Sequence, residues 1–234
     1  MKNKISLNNS DKIHLKLNGS FNIKVFESEG FIGVEYEIDS NKSCSIKEEP
    51  GGVIFFDADK ESSDWNHDFN DSISKLDFKN GFVNFLDSTK PLIQAILNRK
   101  KSLKVDLSLF LKKGETKKLV INADNVNIDF GKTCIQQLSI DADNCHIKSN
   151  SDFIVSKVDV HSDNLEASIH FGKQAPFWNI SSDNASVRII RTNGFDGQIR
   201  ISGDNKDVSG RTKGDSSIGV CEIRADNADV DING

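Results

Sequence analysis

The stretch Lys118-Leu119-Val120-Ile121-Asn122-Ala123-Asp124-Asn125-Val126-Asn127-Ile128-Asp129-Phe130 decides the fold. Apolar side chains stand at 119 and 121, and again at 126, 128 and 130. Alternation of period two therefore runs on both sides of Asp124-Asn125, and the inward parity slips by one residue there. Two strands meeting at a tight corner satisfy that pattern. The corner dipeptide recurs as Asp143-Asn144, Asp163-Asn164, Asp183-Asn184, Asp204-Asn205 and Asp226-Asn227, at steps of 19, 20, 20, 21 and 22 residues. Random placement of the Asp and Asn residues gives roughly two or three such pairs, and no even spacing.

The rest of the unit follows each corner. Five and three residues before the Asp stand Leu138 and Ile140, Val158 and Val160, Trp178 and Ile180, Ile199 and Ile201, and Cys221 and Ile223. The residue just before it is always small: Ala123, Ala142, Ser162, Ser182, Gly203 or Ala225. Strand, corner, strand, loop and short strand, repeated every twenty residues, is the unit of a parallel β-solenoid, or β-helix. The expected corner chemistry is Asn in the left-handed region, with Asp bonding nearby amides. Stacked at about 4.8 Å, six coils make a prism on the order of 25–30 Å long. Outward columns then become readable, among them Asp129, Lys148, Ser168, Arg188, Ser209 and Asp231, and Arg200 beside Glu222. Exposed pairs of this kind contribute about 0.2–1 kcal/mol each and tune register.

Upstream, residues 1–57 read as irregular β coils. Ile13-Leu15-Leu17, Asn18-Gly19 and Phe21-Ile23-Val25 form one coil with Asn-Gly at its corner. Residues 58–102 lose the period and read as an insertion, with a short helix over Pro91-Leu92-Ile93-Gln94-Ala95-Ile96-Leu97. Residues 103–234 are the regular solenoid, one continuous domain with the rest. The fold class expected is thus all-β, with a short, mostly helical insertion. The 15 Phe are expected in the irregular half and at coil corners, since a thin coil takes Val, Ile, Leu and Ala inside.

The 234-residue chain carries Lys+Arg 30 against Asp+Glu 35, a formal charge of −5, which argues against a nucleic-acid binder. The first ten residues have no apolar core of a secretory signal, and no window has the length of a spanning helix. This gives a cytoplasmic or membrane-peripheral location as written, extracellular if a leader was removed. Cys44, Cys134, Cys145 and Cys221 lack zinc-site spacing and read as reduced thiols.

Val105-Asp106-Leu107-Ser108-Leu109-Phe110-Leu111-Lys112-Lys113-Gly114, then Lys118-Leu119-Val120-Ile121 and the coils after it, together with Gly19-Ser20-Phe21-Asn22-Ile23-Lys24-Val25, carry a resemblance. In these the chain resembles the bacterial putative-adhesin family, repetitive β-solenoid domains of largely unassigned function. Leu111 replaces the family's usual Pro, and Asp-Asn its common corner Gly. The likeness spans most of the chain except roughly 58–102. It implies a binding domain, with an envelope-stress regulatory or sensing component as the alternative.

No nucleophile, phosphate-loop or metalloprotease motif is present. His14, His67, His146, His161 and His170 occupy different columns, so no metal site and no cofactor is expected. Asp124, Asp143, Asp163, Asp183, Asp204 and Asp226 with Asn125, Asn144, Asn164, Asn184, Asn205 and Asn227 read as a structural corner ladder rather than a cation stripe. Binding candidates are Trp65 and His67 in the insertion and Lys112, Lys113, Lys117 and Lys118 in the basic stretch. The lysines suit an anionic surface if they are not simply solvated. The function expected is a non-enzymatic binding or scaffold module presenting flat faces to a protein or glycan. A polysaccharide-active enzyme is the second alternative, with Trp65, His67 and Asp68 the place to look. The last coil, ending at Asn233-Gly234 without a cap, is expected to associate end-on with another copy or to take a partner there.

Overall fold

In the computed structural model of the protein, which describes residues 2–7, 11–37, 45–49, 53–57, 104–114, 116–192 and 194–234, every regular element is a β-strand. They are β1 (Lys2–Ser6), β2 (Lys12–Ser28), β3 (Gly33–Glu37), β4 (Ser45–Glu49), β5 (Val53–Asp57), β6 (Lys104–Lys112), β7 (Lys118–Phe130), β8 (Thr133–Ser149), β9 (Phe153–Phe171), β10 (Phe177–Arg191), β11 (Gly197–Ser202), β12 (Asn205–Ser209) and β13 (Asp215–Asn233). They form one mostly parallel sheet that is not closed into a barrel, in the order β1-β3-β6-β2-β7-β8-β9-β10-β13-β11. β12 pairs β13, β5 pairs β2, and β4 pairs β5. The insertion and its expected helix lie outside the described residues.

The register follows the sequence period. Ile121 pairs Ile140, Ile140 pairs Val160, and Val160 pairs Ile180. Burial along β8 and β9 alternates, but breaks twice, at Gln136-Gln137 and Asp143-Asn144 and at Ser156-Lys157 and Asp163-Asn164, where two consecutive residues are exposed. β8 and β9 therefore each present three inward runs, and Val, Ile and Leu from each run stack into one core. The large rings do not keep to corners or to the irregular half. Trp178, Phe130, Phe153 and Phe171 are among the largest fully buried side chains. Phe153 stacks on Phe130 at 4.6 Å and meets Trp178 edge-on at 6.3 Å. The indole N–H of Trp178 donates to the Ala175 carbonyl at 3.1 Å, which satisfies its polar atom inside the core.

Two strands leave sequence order. β2 lies between β6 and β7, with Ile23 opposite both Leu107 and Ile128. β13 lies between β10 and the β11–β12 pair, with Ile223 opposite both Ile180 and Ile201. The C-terminal strand is therefore interior to the sheet, and β11–β12 is its outer neighbour. The expectation of an open end at the C-terminal strand is corrected accordingly. Length and continuity explain the choice. β13 is 19 residues and pairs β10 from Phe177↔Val220 to Ile190↔Asn233 with only the corner aspartates skipped, whereas β11 and β12 are six and five residues parted at Gly203-Asp204. A short, charged, broken strand is the cheaper one to leave at an edge.

On the other flank of β2, β5 pairs His14–Asn18 and β6 pairs Ser20–Ser28. The two together span one long strand, so the chain between them departs and returns at the corner position. β3 and β1 then add antiparallel on β6, and β4 adds antiparallel on β5.

Candidate functional site

The corner is made differently from expectation. Among the described residues no non-glycine residue has a positive φ, so the asparagines are not left-handed. Instead the ladder skips the aspartate. Ala123 pairs Ala142 and Asn125 pairs Asn144, with Asp124 and Asp143 unpaired between them, and β8–β9 and β9–β10 repeat this. Dropping one residue from the pairing turns the strand and produces the parity slip. Where β2 passes this corner, Gly19 (φ 111) takes the turn and its N–H donates to Asp124 Oδ2 at 2.9 Å.

The asparagines form the row. Asn205 donates its amide to Asn227 at 2.9 Å, Asn227 to Asn184 at 2.9 Å, and Asn184 to Asn164 at 3.0 Å. Asn164 donates to Asn144 at 3.0 Å, and Asn144 to Asn125 at 2.8 Å. Each of the four inner amides uses one N–H and one carbonyl lone pair in the row, leaving one donor and one acceptor site. The aspartates beside them, from Asp143 to Asp226, are exposed. Small residues behind the corner complete it: Ser182 Oγ lies 2.9 Å from the Asn184 carbonyl oxygen and 3.1 Å from that of Asp163, which share its one O–H.

This row borders an open groove of about 1230 Å³ that runs across the strands from Asn22 to Asp207. Its floor is the next inward column, Val126, Cys145, Leu165, Ala185 and Ala228, each at most 5% exposed. The opposite border carries Asn127, His146, Glu166, Ser186 and Asp229, and there His146 Nδ1 lies 3.2 Å from Glu166 Oε2. The groove is thus an apolar strip between two polar rails. One column further on, Arg188 and Asp231 stand 3.9 Å apart. Bonds from Ser209 Oγ and Asn233 Nδ2 hold the Asp231 carboxyl below the usual carboxylate range.

Among the described residues no three His, Cys, Asp or Glu side chains come together to hold a metal. Burial pushes the Cys145 and Cys221 thiols up to about 12 and raises Cys134 more modestly, so all three stay protonated near neutrality. Arg191, at the end of β10, is buried. It donates through Nη2 to the carbonyls of Gly197 at 3.1 Å and Lys213 at 3.4 Å, which ties β10 to the start of β11 and the segment before β13.

The lysine candidates do not converge on the groove. Lys113 Nζ lies 3.8 Å from Glu29, and Lys117 Nζ lies 3.1 Å from Asp11. Lys112 pairs Ser28 and Lys118 pairs Lys12, at opposite ends of β2. Trp65 and His67 lie outside the described residues. The groove itself escaped the sequence reading. The signal for it was present in the apolar column two residues after five of the six Asp (Lys206 follows Asp204), but a column's burial does not reveal that the surface beside it is concave. No helix among the described residues is long and apolar enough to cross a membrane.

No family model and no curated protein matches the chain. Among solved structures the chain is similar to a putative cell adhesion protein from Clostridium sporogenes, at 10% sequence identity and a TM-score of 0.45, over 100% of this chain and 97% of that one.

Proposed function

We propose that the protein is a non-enzymatic binding or scaffold module, a β-solenoid of adhesin-like type that presents its asparagine-bordered groove to an extended protein or glycan. The winding rests on connection length. β8 and β9 run parallel and pair from Thr133↔Phe153 to Lys148↔Ser168, yet only residues 150–152 join them. A straight strand as long as β8 spans about 56 Å, and three linking residues reach at most about 14 Å. Each strand must therefore turn back so that its end lies over its start. The stacking of Phe130, last in β7, on Phe153, first in β9, fits that winding.

The observation that carries the binding reading is the unbroken row of six asparagine amides along one open groove. Repeated donors and acceptors beside an apolar strip suit a polymeric ligand better than a small substrate. The thiol that lines the groove, Cys145, is buried and stays protonated near neutrality. The test is binding of the intact chain to immobilised glycans and extracellular proteins, compared with Ser186→Trp, which places an indole in the groove from an exposed position. Binding at least tenfold weaker in the variant is expected. Equal binding by both moves the site elsewhere.

A further inference from the structure

We infer that the ligand of the groove is a basic peptide segment in the polyproline II conformation, laid along the asparagine row and across the strands. The inference rests on the groove as the binding surface proposed above. Charge selects the class of ligand. The carboxylates of Glu166, Asp204, Asp207 and Asp229 line the groove, against one lysine, Lys206. Glu166 keeps 72% of its side chain exposed beside His146. Asp143, Asp163, Asp183 and Asp226 stand exposed just outside the asparagine row. An open channel bordered by carboxylates attracts cationic chains and repels anionic polymers.

Spacing selects the conformation. Glu166 pairs Ser186 and Ser186 pairs Asp229, so these two carboxylates stand on one border two strands apart. With neighbouring strands about 4.8 Å apart, that interval is about 9.6 Å. Polyproline II advances about 3.1 Å per residue with three residues per turn, so lysines three positions apart repeat on one side about every 9.3 Å. They keep step with Glu166 and Asp229. An extended β-strand repeats on one side about every 6.8 Å and falls out of step at once. Three residues per turn also give three faces, one each for the carboxylate border, the apolar floor and the asparagine row. Each of the four inner asparagines has one donor and one acceptor site left, the complement of a peptide unit with its one N–H and one C=O. Polyproline II makes no internal hydrogen bonds, so those backbone groups are available to the row. A neutral sugar chain can meet the amides but leaves the carboxylates unmatched. Six strand spacings separate β2 from β12 along the groove, roughly 29 Å, the length of about nine polyproline II residues.

Fluorescence anisotropy of the labelled nonapeptide (Pro-Ala-Lys)3, titrated with the full chain, tests this. Saturable binding is expected, weakening as salt rises. Ser186→Trp should weaken it at least tenfold, and Glu166→Gln and Asp229→Asn about threefold each. A nonapeptide of the same composition with its lysines at alternate positions should bind at least fivefold more weakly, and (Pro-Ala-Glu)3 should not bind. Absence of binding by (Pro-Ala-Lys)3, equal binding by the re-spaced peptide, or indifference to Ser186→Trp or to both charge variants each overturns the inference. A neutral glucan oligomer or a folded extracellular protein that binds the wild type but not Ser186→Trp, where the peptide binds neither, overturns it while the groove stands as the binding surface. If no ligand of the wild type is weakened by Ser186→Trp, both readings fall.

Discussion

Asn227 donates its side-chain amide to Asn184 Oδ1 at 2.9 Å across 43 residues of chain. That bond skips the asparagine between them in sequence, Asn205, which instead donates to Asn227 from the other side at 2.9 Å. The row is therefore continuous in space while discontinuous in sequence, because β13 enters the sheet between β10 and β12.

Asn184 is the joint of that row, a donor to Asn164 and an acceptor from Asn227. Asn184→Ala removes both bonds and should cost about 1–2 kcal/mol, since each exposed hydrogen bond contributes roughly 0.5–1.5 kcal/mol net. Asn184→Asp keeps the acceptor but replaces the donor with a carboxylate facing Asn164 Oδ1. Its deficit should exceed that of the Ala variant at neutral pH and shrink as pH falls through the ordinary carboxylate range, where the protonated acid can donate. Thermal unfolding at both pH values reads the difference.

Gly203 is held at φ 150, and a Cβ there would lie 1.6 Å from the Ala225 carbonyl oxygen. Backbone cannot give way as a flexible side chain can, so Gly203→Ala should destabilise by about 2–4 kcal/mol. The damage should concentrate on β11–β12. Hydrogen exchange would show these amides opening first, with β7–β9 little changed.

Trp178 is 2% exposed and wedged against Phe153. Trp178→Ala leaves a cavity at the middle of the sheet and strands the Ala175 carbonyl that its indole N–H satisfies. A loss of about 3–5 kcal/mol in denaturant unfolding is expected. Trp178→Phe keeps the ring volume in part and should recover more than half of that loss.

The buried thiols make stability fall in alkali. Cys145 and Cys221 are pushed by burial from 9.0 to about 12. Between those values the folded chain keeps two protons that the unfolded chain gives up, so the contribution is complete below pH 9 and is lost as pH rises toward 12. Unfolding free energy measured from pH 8 to 11 should decline more steeply in the wild type than in Cys221→Ala. Of the three described cysteines, a thiol reagent at neutral pH should reach half-buried Cys134 first, and Cys145 and Cys221 only on unfolding.

Much of this was legible in the chain itself. Alternation at Leu119, Ile121, Val126, Ile128 and Phe130, with its slip at Asp124, encodes two strand runs and a corner, because side-chain direction in a strand has period two. Repetition at 19 and 20 residues encodes the register of β7 through β10, because a one-residue error would turn every apolar side chain outward. The pairing of Asn18-Gly19 with that corner was readable for the same reason. The division of labour within Asp-Asn was not. Carboxylate and amide share a turn propensity, and only stacked neighbours reveal that amides bond one another in a row while the carboxylates from Asp143 to Asp226 stand in solvent.

What the sequence by itself determined is the strand pattern, the corners and which positions face inward, all of which follow from local periodicity. Only the tertiary structure decided which strands are neighbours at the two ends: β2 between β6 and β7, and β13 between β10 and β11. The repeat makes every coil compatible in register with every other, so Ile223 fits beside Ile180 as well as beside Ile201. Periodicity cannot choose between equivalent partners. The choice falls to non-local energy, in which the long unbroken strand gains most from pairing on both sides and the short charged one, Asn205–Ser209, loses least at the edge.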